Sequence, residues 1–177
     1  MSTLSIRAET PGDREAIDRV QRDAFSDPVI PQLIARLRGL MAPLPTISLV
    51  AEGPESVLGH VILSHSWIDA PAALADILVL SPLGVAPAAQ GRGIGTKLLA
   101  AAVEAASRTP APLLLLEGDP RFYGPRGFEP ARGIRRPSLR IPEAALQMVR
   151  LPGHRAETTG TLVYRELWWE LDCVGLR

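Results

Sequence analysis

Apolar and polar residues trade places along this chain with two rhythms. Leu4, Ile6 and Ala8 alternate with polar neighbours, the period of two that predicts a short strand. Thr10-Pro11-Gly12-Asp13 then opens a helix. Thr10 is a capping residue, Pro11 suits a first turn, and Asp13 and Glu15 sit where the helix dipole favours negative charge. Ile17, Val20 and Phe25 give that helix an apolar stripe. A second helix is expected over 30–40, with Leu33, Ile34, Leu37 and Leu40 on one side, ended by Pro43 and Pro45. Residues 46–52 and 57–68 read as two strands joined at Gly53-Pro54-Glu55-Ser56, a hairpin. Residues 74–85 form an apolar run suited to a central strand buried on both faces, in which Pro82 marks a bulge or an unpaired position.

A glycine-rich turn follows at 91–95, after which Ile94, Leu98, Ala101, Ala102 and Ala105 recur at helical spacing up to Ser107. Residues 112–116 are a short buried strand closed by Glu117-Gly118-Asp119-Pro120, and Arg121 to Arg126 a short helix that Gly127 ends. Residues 145–151 and 161–166 read as two last strands. The order is strand, two helices, hairpin, strand, helix, strand, helix, strands. It predicts an α/β (α+β) fold, a mixed central sheet flanked by helices, in one domain over 1–177 without repeat or linker.

Composition narrows the function. Nineteen basic and nineteen acidic residues leave no formal net charge, so no global field draws the chain to nucleic acid or to an anionic membrane. Arg132, Arg135, Arg136 and Arg140 form a local basic cluster that reads as a solvated loop. With one cysteine, Cys173, no internal disulfide forms, in keeping with a cytoplasmic protein; with no histidine beside it, the thiol reads as packed and structural. The first residues lack the basic-then-apolar pattern of a signal peptide, and no run is long and apolar enough to span a membrane. No metal site is expected.

The chemistry concentrates at Leu83-Gly84-Val85-Ala86-Pro87-Ala88-Ala89-Gln90-Gly91-Arg92-Gly93-Ile94-Gly95-Thr96, where a strand feeds a glycine turn and the turn feeds a helix. Glycines let backbone approach a ligand, and a helix start offers unpaired N–H groups and a positive dipole end to a pyrophosphate. A P-loop is excluded because Lys97 follows Thr96, the wrong order. A dinucleotide-binding unit is a rival, since Gly91-Arg92-Gly93 and Glu117 mimic its fingerprint. Its third glycine nonetheless falls one place early, at Gly95, and the strand-to-turn junction is long.

Gln90-Gly91-Arg92-Gly93-Ile94-Gly95 matches the Gln/Arg-x-x-Gly-x-Gly/Ala signature of the GNAT superfamily of N-acetyltransferases. Val85-Ala86-Pro87 resembles the end of that family's fourth strand, and Phe122-Tyr123-Gly124-Pro125-Arg126-Gly127-Phe128 its recurrent Phe-Tyr-x-x-x-Gly-Phe element. The resemblance is clearest over 4–130, and with Gly118-Asp119-Pro120 it is closest to the bacterial subgroup of predicted acetyltransferases. It implies the acyl-CoA N-acyltransferase fold, with acetyl-CoA as co-substrate lying in a gap between the fourth and fifth strands. By resemblance, backbone groups of Leu83, Gly84 and Val85 pair with the pantetheine arm and acyl carbonyl. Backbone groups of Gln90, Gly91, Arg92, Gly93, Ile94, Gly95 and Thr96 hold the pyrophosphate, and Asp119 belongs to the same cofactor site. A primary amine, small or on a protein, attacks the thioester directly. An N–H near Val85 stabilises the oxyanion, and Tyr123 matches the family's general acid.

The sequence departs from the family at the general base. Many members carry a glutamate on the fourth strand, where this chain has Leu78-Val79-Leu80. Glu52, His60, His65 and Asp76 are the remaining candidates; His60 and His65, an odd number apart on one strand, point to opposite faces unless a bulge intervenes. The Leu167, Trp168, Trp169 and Leu171 cluster reads as core packing, with a lid or a homodimer surface as the alternative. Against the transferase stand two other functions: an acyl-CoA-binding regulatory domain without turnover, and a nicotinamide-dependent oxidoreductase.

Overall fold

The computed structural model describes residues 4–137, 140–156 and 158–174. The chain starts with β1 (Ser5–Ala8), then a single 3-10 turn over Pro11–Asp13 that runs into α1 (Arg14–Phe25). Asp13 is the residue that fixes this junction. Its carboxylate accepts from the Thr10 N–H (2.7 Å) and hydroxyl (2.8 Å) and from both terminal nitrogens of Arg7 (2.8 and 2.9 Å). Arg7 in turn donates to Glu52, so one guanidinium ties β1, the helix start and β2 (Ile47–Glu52) together. The second helix, α2 (Val29–Arg38), packs Leu33, Ile34 and Leu37 inward, as their spacing dictates.

β3 (Val57–Asp69) and β4 (Leu74–Val85) are the longest strands and form the centre of the sheet. After β4 come α3 (Ile94–Ser107), β5 (Leu113–Glu117) and α4 (Pro120–Tyr123), then β6 (Glu129–Pro130), β7 (Ile134–Arg135), β8 (Leu146–Arg150), β9 (Gly160–Val163) and α5 (Glu166–Glu170). The strand order is β1-β2-β3-β4-β5-β8-β6; β9 joins the far end of β3, and β7 pairs with β9. Every pairing is antiparallel except β4 with β5 and β7 with β9. A doubly wound parallel sheet, which the dinucleotide-binding alternative requires, is therefore not what this chain builds.

The sheet divides the core in two. On one face Ile62, Ile68, Ile77, Val79, Leu113 and Leu115 pack against α1, α2 and α5. On the other, Val61, Leu63, Leu78, Leu80, Leu114 and Leu116 pack against α3. The period of two along each strand generates this partition.

Three elements differ from the sequence reading. The expected strand over 161–166 ends at Val163, and α5 begins at Glu166. The cause is Tyr164 and Trp168, which stack (5.2 Å between ring centres) and bury themselves on the α1 side, turning the chain off the sheet edge. The second difference is at the arginine cluster. Arg132, Arg135 and Arg140 are exposed, as a solvated segment predicts, but Arg135 lies on the short strand β7 and not on a loop. Third, the expected helix over 121–126 is one α turn continued by a 3-10 turn, Gly124–Arg126. Leu167 and Trp168 are buried, as packing predicts, while Trp169 is 37% exposed with its indole N–H donated to the Tyr164 carbonyl. Cys173 is half-buried, and burial pushes its thiol up to about 11, which leaves it an inert, packed side chain.

Candidate active site

β4 and β5 pair side by side only at Leu78↔Leu114 and Val79↔Leu115, although both strands continue beyond. Pro82 interrupts β4 just past that point. It has no N–H to donate, and the register against β3 shifts there, from Leu63↔Leu80 to Val61↔Leu83. The strands therefore part, leaving the ends of β4 (Leu83 to Val85) and β5 (Leu116 to Glu117) as the walls of an opening.

Leu83 and Val85 face the α3 side of that opening. Ala86 is pinned by its N–H to the Leu58 carbonyl (2.8 Å), and the Gln90 side chain donates back to the Val85 carbonyl (3.0 Å). Gly91 and Gly93 then take φ of 73° and 77°, left-handed values that glycine alone adopts without strain. This geometry swings the chain into α3 with Gly93 as its N-cap, so the first N–H groups of the helix have no partner inside it. They border a cavity of about 620 Å³. Lys97 and the exposed Arg92 add charge to the positive helix end.

The opposite wall is α4. Asp119 caps it, accepting from the Arg121 N–H (2.9 Å), and its side chain is also held by the Arg121 guanidinium. Hydrogen bonds from Arg121 keep the Asp119 carboxyl below its usual range. The cap brings Tyr123 back against the strand it has just left, with its ring packed on Gly118, where a Cβ would lie 2.3 Å from the ring. Phe122 and Phe128 meet that ring edge-on, at 4.9 and 5.7 Å between centres. Burial pushes the Tyr123 phenol above its ordinary value, so it stays protonated through the neutral range.

Ten of the twelve sequence-predicted site residues line this one cavity: Leu83, Val85, Gln90 and Gly91, the Gly93-to-Thr96 run, and Asp119 with Tyr123. Two do not. Gly84 faces away, against Gln21 and Ala24 of α1, and Arg92 points outward at the turn. The sequence reading missed Ala89, Phe122 and Arg126. Arg126 lies over the Phe122 ring (4.0 Å) and donates to the Thr96 hydroxyl (2.8 Å), bridging α4 to the start of α3. Its place inside the Phe-Tyr-x-x-x-Gly-Phe element was the available signal.

The general-base candidates lie elsewhere. Glu52 belongs to the Arg7 cluster. His60 and His65 occupy opposite faces of β3, since the bulge falls on β4 instead. His60 is enclosed by Gln21 (2.8 Å) and Ser48 (2.8 Å), and burial lowers its pKa and keeps it neutral. Ser48 also bonds Glu9, which forms an ion pair with Arg38 (2.6 Å). His65 bonds Asp76 (2.7 Å) and receives Arg165 (3.2 Å), near the opposite end of β4 from Val85. Leu78, Val79 and Leu80 are fully buried. Among the described residues no group of three or more His, Cys, Asp or Glu side chains is placed to hold a metal, and no helix is long and apolar enough to cross a membrane.

Residues 45–130, which run from β2 to β6 and contain the whole cavity, match the family model of the acetyltransferase (GNAT) domain. The uncharacterized N-acetyltransferase YjhQ of Escherichia coli (strain K12) is 26% identical over 121 residues, 68% of this chain and 67% of that protein. Among solved structures, the GNAT family N-acetyltransferase YhbS of Escherichia coli, in complex with CoA, superposes with a TM-score of 0.82 at 26% identity, covering 95% of this chain and 93% of that one. A GNAT family acetyltransferase of Brucella melitensis, in complex with acetyl-CoA, superposes at 0.74 with 28% identity, covering 94% and 98%.

Proposed function

From a GNAT acetyltransferase domain over residues 45–130, we propose that this chain is a cytoplasmic N-acetyltransferase that moves the acetyl group of acetyl-CoA to a primary amine by direct attack on the thioester. The observation that carries the reading is the single cavity where the glycine turn, the parted end of β4 and Tyr123 converge. The E. coli and Brucella proteins that share the fold were solved with CoA and acetyl-CoA, which supports the same co-substrate here.

In this reading the pyrophosphate lies against the free N–H groups of the α3 start, and the exposed Arg92, Lys97 and Arg126 add positive charge around it. The pantetheine arm runs along the edge of β4 that β5 has left unpaired. The thioester carbonyl then comes under the backbone N–H of the strand end, near Val85, where a donor stabilises the developing oxyanion. The amine nitrogen forms the new N–C bond, the C–S bond breaks, and the leaving sulfur takes the phenol proton of Tyr123. A raised phenol pKa suits an acid that must hold its proton until the thiolate appears.

The missing carboxylate at Leu78-Val79-Leu80 of β4 favours the second reading, a domain that binds acyl-CoA without turnover. Tyr123→Phe separates the two. The transferase reading expects the variant to bind acetyl-CoA as the parent does and to release free thiol about 100-fold more slowly with an accepted amine. Equal thiol release by parent and variant would remove Tyr123 from the chemistry. A parent that binds acetyl-CoA yet turns over no amine in a broad panel would establish the sensor.

A further inference from the structure

The end of β4 is held on one edge only. β3 pairs with it at Leu83, Gly84 and Val85, where β5 no longer does. The ladder with β3 alternates. The Ala86 N–H bonds the Leu58 carbonyl (2.8 Å), so His60 and Gly84, two positions on, form the next bonded pair. Val85 lies between those pairs, and its N–H and carbonyl point away from β3 toward the opening, where Gln90 takes the carbonyl (3.0 Å). The direction of the Val85 N–H therefore follows the position of Gly84 and of its partner His60.

Both are held from α1. Gln21 is fully buried, and its Nε2 lies 2.8 Å from His60 Nδ1 and 3.1 Å from the His60 carbonyl. A carbonyl only accepts, so the amide NH2 stands at this point and His60 Nδ1 accepts from it as well. The imidazole proton is then on Nε2, which donates to Ser48 (2.8 Å); Ser48 donates to Glu9, and Glu9 is paired with Arg38 (2.6 Å). Burial keeps His60 neutral, as this chain of donors requires. Every donor along it points the same way, so the Gln21 amide has one orientation. That orientation turns Oε1 toward Gly84, buried and without a hydrogen-bond partner among the described residues. A Cβ on Gly84 would stand 2.5 Å from Oε1, 2.9 Å from Cδ and 3.3 Å from the Ala24 Cβ. A buried acceptor without a donor lowers stability, and proteins accept such a loss at sites of function.

We propose that Gln21 is a positioning residue for acetyl transfer: with His60 it holds Gly84 in place and so aims the Val85 N–H at the thioester carbonyl. The inference rests on the transferase reading above. Gln21 does not line the cavity and touches neither substrate. It acts by stiffening, from the α1 face, a strand end that lacks its second neighbour. As the amine attacks, the thioester oxygen gains negative charge, and the N–H that meets it has to be in place beforehand. A displacement of about 1 Å lowers the rate on the order of 100-fold.

The test uses the full chain, Gln21→Met, Gly84→Ala and the double variant. Gln21→Met keeps the side-chain length and removes the amide; Gly84→Ala keeps every hydrogen-bonding group and displaces the same amide from the other side. Each is titrated with acetyl-CoA and assayed with the fastest amine among hydroxylamine, phenylethylamine, spermidine and a lysine-containing peptide. Both single variants are expected to bind acetyl-CoA within about threefold of the parent and to lower kcat about 10–100-fold at unchanged KM for the amine. The Val85 amide resonance is expected to move in ligand-free Gln21→Met. The double variant is expected to lose no more than the worse single one, because both changes break one contact. A residue of structural value alone would lower the urea midpoint and leave kcat at the parent value; that result would overturn the inference and leave the transferase reading standing. Additive losses, an unmoved Val85 resonance, or a loss confined to acetyl-CoA affinity would do the same. Should one single variant fail to fold, the kcat of the other decides. A parent that binds acetyl-CoA but turns over none of the amines would overturn both readings.

Discussion

Gly91 and Gly93 hold φ of 73° and 77°, and nothing stands within 4 Å of where a Cβ would sit. The constraint on them is therefore conformational and not steric. An alanine there meets the left-handed penalty of about 1–2 kcal/mol and relieves it by turning the N–H groups of the α3 start away from the cavity. Gly93→Ala should accordingly weaken acetyl-CoA binding by about tenfold and lower unfolding free energy by about 1 kcal/mol, read by titration and by urea denaturation. Unchanged affinity would mean that the turn does not hold the pyrophosphate. At this scale the sequence was informative where function needs a residue type: glycines at the turn, and a tyrosine in a recognisable element. It was silent where function needs a neighbour. Arg126 looks like any arginine of a turn until it reaches Thr96, 30 positions back, and Gly84 looks like a cavity residue until the bulge at Pro82 turns it toward Gln21.

The same division runs through the elements. β3, β4, α1, α2 and α3 announced themselves because their periodicity extends over ten residues or more. β6 and β7, two residues each, and α5, five, are too short to show a period, and they exist through pairing with distant strands and through burial of Trp168. The start of α1 shows how tertiary context completes a local signal. The sequence marks Thr10 and Asp13 as a helix start, but it is Arg7 on β1 that holds the Asp13 carboxyl well below the ordinary carboxylate range, with burial opposing and Thr10 adding to it. Arg7 is 32% exposed and Asp13 10%, so solvent reduces the interaction, and Asp13→Asn should lower stability at pH 7 by about 2 kcal/mol. A carboxyl depressed in the folded state stabilises above its unfolded pKa of about 4, and that contribution fades as pH falls toward the folded value. Urea unfolding of parent and variant should therefore differ most at pH 7 and draw together at pH 3. A gap that stays constant would show that Asp13 acts through its shape and not through its charge.

At the scale of the molecule, two cores lie on the two faces of one sheet, and β4 and β5 are paired at just two positions where the sheet opens. Opening a central sheet sacrifices backbone hydrogen bonds on both strands, a loss tolerable only if something fills the gap during function. A ligand lying along β4 and against the starts of α3 and α4 supplies those partners and links elements from both sides of the opening. It should therefore act on global stability as well as on the local site. Acetyl-CoA at 100 times its Kd adds about 2.7 kcal/mol to the folded state by mass action. For a chain of 177 residues each kcal/mol raises Tm by about 2–4 °C, so calorimetry should show a rise of about 5–10 °C. NAD at the same concentration should leave Tm where it was, because the sheet is mixed and the third glycine lies at Gly95, one place short of the dinucleotide fingerprint. The alanine at position 93 supplies the internal control: its acetyl-CoA-induced shift should shrink in proportion to its lost affinity. A full shift in that variant would place the ligand away from the α3 start, and a shift with NAD alone would assign the opening to a different cofactor.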